Sequence, residues 1–148
     1  MEWSDEYKVG IPEIDAQHRN LAMLIAGLKA SVDAGRDRVH VDLVMLAKYN
    51  RAHFSAEETL MLAHAYPASE AHLSEHEQFT QALADLEERS ATQSVTPELI
   101  ALLRAWEDQH VKVSDRHLAR HVSISKRLSS DTVPKPGHGP GGGSLERT

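Results

Sequence analysis

The sequence predicts an all-α protein, an up-down-up-down antiparallel four-helix bundle with a short C-terminal helix and a flexible tail. Three observations carry that expectation. Apolar residues recur at three- and four-residue steps in four separate stretches, no stretch alternates with period two, and the connections are short enough to make consecutive helices antiparallel neighbours. With 148 residues and 41% apolar content, the chain has material for one core and so for one domain.

The first helix is expected to begin near Asp15, with His18, Leu21, Ile25, Leu28 and Val32 on one stripe and Gly35 as its stop. The second, from about Val41, aligns Leu43, Leu46, Asn50, His53, Glu57, Leu60 and His64, and ends before Pro67, which cannot continue a helix. Ser69 is a candidate cap for the third, whose stripe is His72, His76, Phe79, Leu83 and Leu86 before the polar run from Ser90 to Ser94. Thr96 and Pro97 open the fourth, with Leu99, Leu102, Leu103, Trp106 and His110 inward. From about Ser129 the chain turns to Pro134, Pro136 and the glycine-rich run from Gly137 to Ser144, which cannot bury a core. The expected organisation is therefore a bundle over 1–128 and a flexible tail over 129–148.

Composition removes several functions. Sixteen Lys and Arg against 22 Asp and Glu give a net charge of -6, which does not recommend nucleic acid or a membrane surface as partner. The absence of cysteine excludes disulfides, thiolate metal sites, iron–sulfur clusters and cysteine nucleophiles. The longest apolar run, Leu21 to Leu28, is too short for a membrane span, and the acidic start Met1-Glu2-Trp3-Ser4-Asp5-Glu6 lacks the order of a secretory signal, so a cytoplasmic location is expected. Nothing suggests more than a monomer or weak oligomer.

The unusual number is ten histidines, roughly three times an average chain's share. Five lie on inward stripes, and every helix supplies at least one. His53 and Glu57 are four apart, as are His72 and His76, so each pair projects from one face on successive turns and can chelate. Buried together without a metal, these imidazoles and acids would leave several unpaired polar groups at about 1–3 kcal/mol each. Asp115 lies five residues after His110 and on a regular α-helix would point about 140° away from it. If Asp115 is a ligand, the fourth helix must end, tighten or bulge between Val111 and Asp115. His117 and His121 are also four apart but stand among Arg116, Arg120 and Lys126, and with His40, His64 and His138 they are expected on solvated faces. Tyr49 and Asn50 are expected either to orient ligands or simply to pack.

The ordered segments His18, then His53-Phe54-Ser55-Ala56-Glu57, then His72-Leu73-Ser74-Glu75-His76, then His110-Val111-Lys112-Val113-Ser114-Asp115 resemble the hemerythrin family, and the bacterial hemerythrins in particular. Trp3, Val9-Gly10, Ile14-Asp15-Ala16-Gln17, Glu58-Thr59-Leu60-Met61, Tyr66-Pro67 and Trp106 agree with it. The resemblance implies two iron ions joined by an oxo or hydroxo bridge. His72, His76 and His110 would bind one, His18 and His53 the other, and Glu57 and Asp115 would bridge both. Two six-coordinate irons offer twelve positions, of which these ligands and the bridge fill eleven, leaving one open on the iron with two histidines. The implied function is reversible O2 binding for carriage, storage or delivery, without catalysis. Leu21, Ile25, Leu60 and Trp106 are candidate linings of the O2 pocket. One residue departs from the pattern: Glu107 stands directly after Trp106, where members commonly carry an apolar side chain. A carboxyl near the open iron would favour the alternative, a di-iron enzyme or sensor acting on O2, peroxide, nitric oxide or ferrous iron.

Overall fold

The computed structural model describes residues 4–35 and 39–131. A 3-10 turn at Asp5–Tyr7 leads into α1 (Pro12–Asp33), α2 (Val39–Ala63), α3 (Ser69–Ser90) and α4 (Thr96–Trp106). A π-helical segment, Glu107–Ser114, then joins α4 to α5 (Asp115–Asp131), so the fourth rod of the bundle is α4, the π segment and α5 in sequence. No strand occurs among the described residues. The last helix reaches Asp131. Trp3, His138 and the Pro/Gly-rich tail beyond that residue lie outside the described part of the chain.

The helix ends follow from local chemistry, with two departures from the sequence reading. Pro12, not Asp15, starts α1, because a proline at the first helical position has its φ preset and lacks a donor that would be idle there. Asp15 instead reaches back, its Oδ1 accepting from the Val9 N–H at 2.7 Å and holding the turn at Gly10, whose φ of +91° suits glycine. Gly35, at φ +66°, stops α1 as expected. Ser69 does not cap α3. It is already helical, with Ala68 at the cap position, and its hydroxyl donates to the Tyr66 carbonyl at 2.6 Å, satisfying the turn made by Tyr66 and Pro67. Thr96 and Pro97 do open α4, behind a buried Val95.

The main core gathers Leu21, Ile25 and Leu28 of α1, Leu43, Leu46 and Phe54 of α2, Phe79, Leu83 and Leu86 of α3, and Leu99, Leu103 and Trp106 of α4. Each such side chain contributes about 1.5–3 kcal/mol on burial. A smaller apolar cluster, Met61, Leu118 and Val122, closes the other end. In α2 and in the fourth rod, the predicted ligands fall in sequence between residues of the two ends. The fold thus seals one polar layer between two apolar caps.

Candidate metal centre

Eight polar or charged residues are buried among those described: His18, Asn50, His53, Glu57, His72, His76, His110 and Asp115. Seven of them are the candidate ligands, six on inward stripes and Asp115 from the family resemblance, and none of the seven is more than 3% exposed. They form two groups whose ligand atoms lie within 4.8 Å of one another, Glu57 with His72, His76 and His110, and His18 with His53, Glu57 and Asp115. Glu57 belongs to both. Asp115 spans both as well, with Oδ2 3.0 Å from His18 Nε2 and Oδ1 3.4 Å from His72 Nε2 and 2.9 Å from His110 Nε2.

The π segment explains how Asp115 arrives. Its i→i+5 bonds close one turn with an extra residue, so residues five apart stand one above the other. The Asp115 N–H donates to the His110 carbonyl, and the two side chains meet on the same face. The segment begins at Glu107, earlier than the Val111–Asp115 break expected.

All five imidazoles turn Nε2 to the centre, and four have Nδ1 engaged from behind. His18 Nδ1 donates to the Tyr7 carbonyl at 2.9 Å and His53 Nδ1 meets Gln17 Oε1 at 2.8 Å. His110 Nδ1 meets Glu75 Oε2 at 2.5 Å and His76 Nδ1 meets Glu58 Oε1 at 3.5 Å. Such partners fix tautomer and ring orientation and make the imidazole a better donor to a metal. Gln17, Glu58 and Glu75 were not singled out by sequence reasoning, although each neighbours a predicted ligand in the chain. Tyr49 supports the arrangement by donating to the Gln17 carbonyl at 3.1 Å, whereas Asn50 bonds back to Leu46 in its own helix. Aromatic faces clamp two of the rings: Phe54 stacks on His76 at 3.9 Å and Trp106 on His110 at 3.7 Å.

The cluster's electrostatics are those of a site built around positive charge. His53 Nε2, Glu57 Oε1 and Asp115 Oδ1 are buried without an aligned hydrogen bond, and the Nε2 atoms of His76 and His110 face each other at 3.2 Å. Donors about 2.1 Å from one octahedral ion stand roughly 3 Å apart, so that spacing suits two ligands of one ion better than it suits two rings alone. Burial keeps His53 neutral, its pKa pushed down to about 4 against the pull of Glu57 and Asp115. At His110 burial also acts to lower the pKa, but the adjacent carboxylates of Asp115 and Glu57 prevail and raise it to about 10. Burial would raise Glu57, yet the imidazoles of His110, His72 and His76 hold it well below the usual carboxylate range. The donor set, imidazole nitrogens with shared carboxylates, fits a pair of divalent or trivalent transition ions.

A stability profile follows for the metal-free protein. Between pH 4 and 6.5 the unfolded chain takes up the His53 proton that the folded one refuses, so stability is lost as pH falls. Between pH 6.5 and 10 the folded chain keeps the His110 proton that the unfolded one has released, so stability is lost as pH rises. Denaturant titrations of metal-free protein should therefore peak near pH 6.5, with slopes of at most about 1.4 kcal/mol per pH unit from each histidine. Metal should abolish the alkaline decline, since an ion replaces the proton on His110.

The other predicted positions divide. Leu21, Ile25 and Trp106 join one apolar cluster. Leu60 does not; it is half-buried and packs against the separate cluster of Met61, Leu118 and Val122. Glu107 lines a groove of about 310 Å³ between α1 and α4 that also contains Ile25, and its Oε1 lies 3.9 Å from Lys112 Nζ. Burial raises the Glu107 carboxyl above its ordinary range, with Lys112 opposing. His40 and His117 are exposed as expected. His64 and His121 are half-buried instead, because His121 Nε2 reaches the His64 carbonyl at 2.8 Å and His64 Nδ1 reaches Ser125 at 3.0 Å. Among the described residues, no helix is long and apolar enough to cross a membrane.

Comparison with known proteins agrees with this geometry. Residues 9–122 match the hemerythrin HHE cation binding domain. Bacteriohemerythrin of Stenotrophomonas maltophilia is 31% identical over 122 residues, 81% of this chain and 80% of its own length. That of Pseudomonas paraeruginosa is 31% identical over 140 residues, covering 93% and 89%, and that of Clostridium acetobutylicum 26% identical over 125 residues, covering 77% and 95%. With a family match along most of its length and a buried histidine and carboxylate cluster where the metal-binding motifs fall, the chain belongs to the hemerythrin family.

Proposed function

We propose that the chain holds two iron ions and binds O2 reversibly. His72, His76 and His110 would ligate one ion, His18 and His53 the other, and Glu57 and Asp115 would bridge them. The observation that carries this reading is the sharing of carboxylates: Glu57 lies in both ligand groups, and the two oxygens of Asp115 face different ones. Iron pairs so held supply reversible O2 binding by exchanging electrons with the gas.

The chain's own part is to hold and to exclude. Tyr7, Gln17, Glu58 and Glu75 fix the rings from behind, so ligand geometry is set before metal arrives. Leu21 and Ile25 follow His18 on the same face of α1, and with Leu103 and Trp106 they seal the end of the site with apolar surface. A dry site denies protons and water to reduced oxygen, which keeps binding reversible. Iron quantitation followed by one anaerobic-to-aerobic spectrum tests the reading. About two irons per chain and a coloured form that bleaches under vacuum are expected; a chain that takes up no iron would overturn it.

Glu107 favours a second reading, in which the site turns over as an enzyme or reports its ligand as a sensor. Its carboxyl shares a groove with Ile25 and retains its proton to higher pH than an exposed glutamate. If it delivers protons, Glu107→Leu should slow autoxidation at least tenfold. Equal rates in the two proteins would remove this alternative.

A further inference from the structure

We infer that the cleft between the start of α1 and the outer face of α5 is a binding site for an amphipathic organic anion, an apolar body carrying a phosphate or similar group. Three independent observations converge on it. The first is charge. After Asp115, α5 carries Arg116, Arg120, Lys126 and Arg127 and no acid before Asp131, in a chain whose net charge is -6. All four cations line one cleft of about 500 Å³, and no acidic side chain lines it. Arg116, Arg120 and Arg127, spaced four and seven apart, form one stripe about 16 Å long on the helix.

The second observation is the floor. Ile11, Pro12 and Ile124 line the cleft together with the cations, so it offers apolar surface as well as charge, and its volume falls within the roughly 300–1,000 Å³ of small-molecule sites. The third is the open end of α1, a helix of 22 residues whose cap position is Ile11, with no side chain accepting from its first N–H groups. Pro12 has no N–H, so the donors this helix start can offer an anion are the backbone N–H groups of Glu13 and Ile14.

Nearby acids do not fill the place: Glu13, in the first turn of α1, is exposed and does not line the cleft. The Asp15 carboxylate is occupied by the N–H groups of Val9 and Gly10, and the Glu6 carboxylate lies 3.7 Å from Lys112. Arg116 donates to the Glu6 carbonyl and Arg127 to Ser123, while Arg120 and Lys126 extend from the exposed face of the helix. The guanidinium groups offer planar forks suited to phosphate oxygens.

Calorimetric titration of the iron-loaded protein with octyl phosphate at low salt tests the inference, with octyl glucoside as the uncharged control. Octyl phosphate should bind with a submillimolar dissociation constant, at least tenfold weaker in 0.5 M salt and in the variant R120E/R127E, and should protect residues 9–14 and 116–127 from hydrogen exchange. Both substitutions are on exposed side chains; if that variant lacks native helicity, R120Q/R127Q replaces it, with the same tenfold loss expected. Equal binding by wild type and variant, equal binding of octyl glucoside, or no binding at millimolar concentration would overturn it. Sedimentation with phosphatidylglycerol vesicles that the variant loses would assign the anion to a lipid headgroup. Binding of octyl phosphate without sedimentation would assign it to a free ligand. Either result keeps the site.

Discussion

Replacing Glu57 with glutamine is expected to take the iron content from two per chain to less than one, a larger loss than any histidine substitution confined to one ligand group. Glu57 is the residue common to both groups, and its Oε2 lies 3.1 Å from His76 Nε2 and 3.3 Å from His72 Nε2 while His53 Nε2 stands at 3.8 Å. Glutamine keeps the shape but removes the negative charge and one of two acceptor oxygens, so neither ion retains its share. His53→Ala touches only the group of His18, Glu57 and Asp115, and should retain about one ion. Stability provides the second readout. An ion present at a hundredfold excess over its dissociation constant stabilises the fold by about 2.7 kcal/mol, which for a chain of this size raises Tm by roughly 5–10 °C. A chelator should therefore lower the Tm of wild type by that much or more and leave E57Q nearly unchanged. Two irons in E57Q, or a chelator effect equal to wild type, would exclude Glu57 as the shared ligand.

The fold and six of the seven candidate ligands were legible because both depend on periodicity, whereas Asp115 runs against regular helical spacing and came only from the family resemblance. His53 and Glu57, like His72 and His76, advertise themselves by four-residue spacing on stripes that continue into Leu46, Phe79 and Leu83, and burial follows from the stripe. What stayed hidden depends on contacts between helices. Nothing in the spacing of Gln17, Glu58 or Glu75 says that each will meet the back of an imidazole on another helix, since that depends on rotation of one rod against its neighbour. Adjacency to a ligand was the available signal: a polar residue beside an inward ligand sits at the flank of the buried face, within reach of the next rod. Leu60 misleads for the opposite reason. It continues the stripe of α2, but one turn beyond Glu57 that stripe has passed to the apolar cluster of Leu118 and Val122. Ser69 had the chemistry of a cap but already sits inside the helix, because the Tyr66–Pro67 turn needed its hydroxyl.

The wide turn between His110 and Asp115 leads to an asymmetric result: removing a residue there should be tolerated, and adding one should not. In the π segment His110 and Asp115 are one i→i+5 turn apart, with the Asp115 N–H bonded to the His110 carbonyl. Deleting Val113, an exposed residue, leaves four steps between them. The chain can then relax to an ordinary α-helical turn, in which residues four apart again share a face about 6 Å apart along the axis. Both ligands keep their places, α5 keeps its register, and Leu118 and Val122 still reach Met61. The deletion variant should retain both irons and full helicity, with Tm within a few degrees of wild type. Inserting one alanine after Val113 leaves six steps, which neither geometry closes. Asp115 rotates by roughly 100° out of the cluster, and every residue of α5 rotates with it. Leu118 and Val122 turn toward water, which costs about 1.5–3 kcal/mol for each, and iron should fall to one per chain or below. Comparable iron binding by the insertion variant, or loss of iron in the deletion variant, would show that the π segment does not set the register of Asp115.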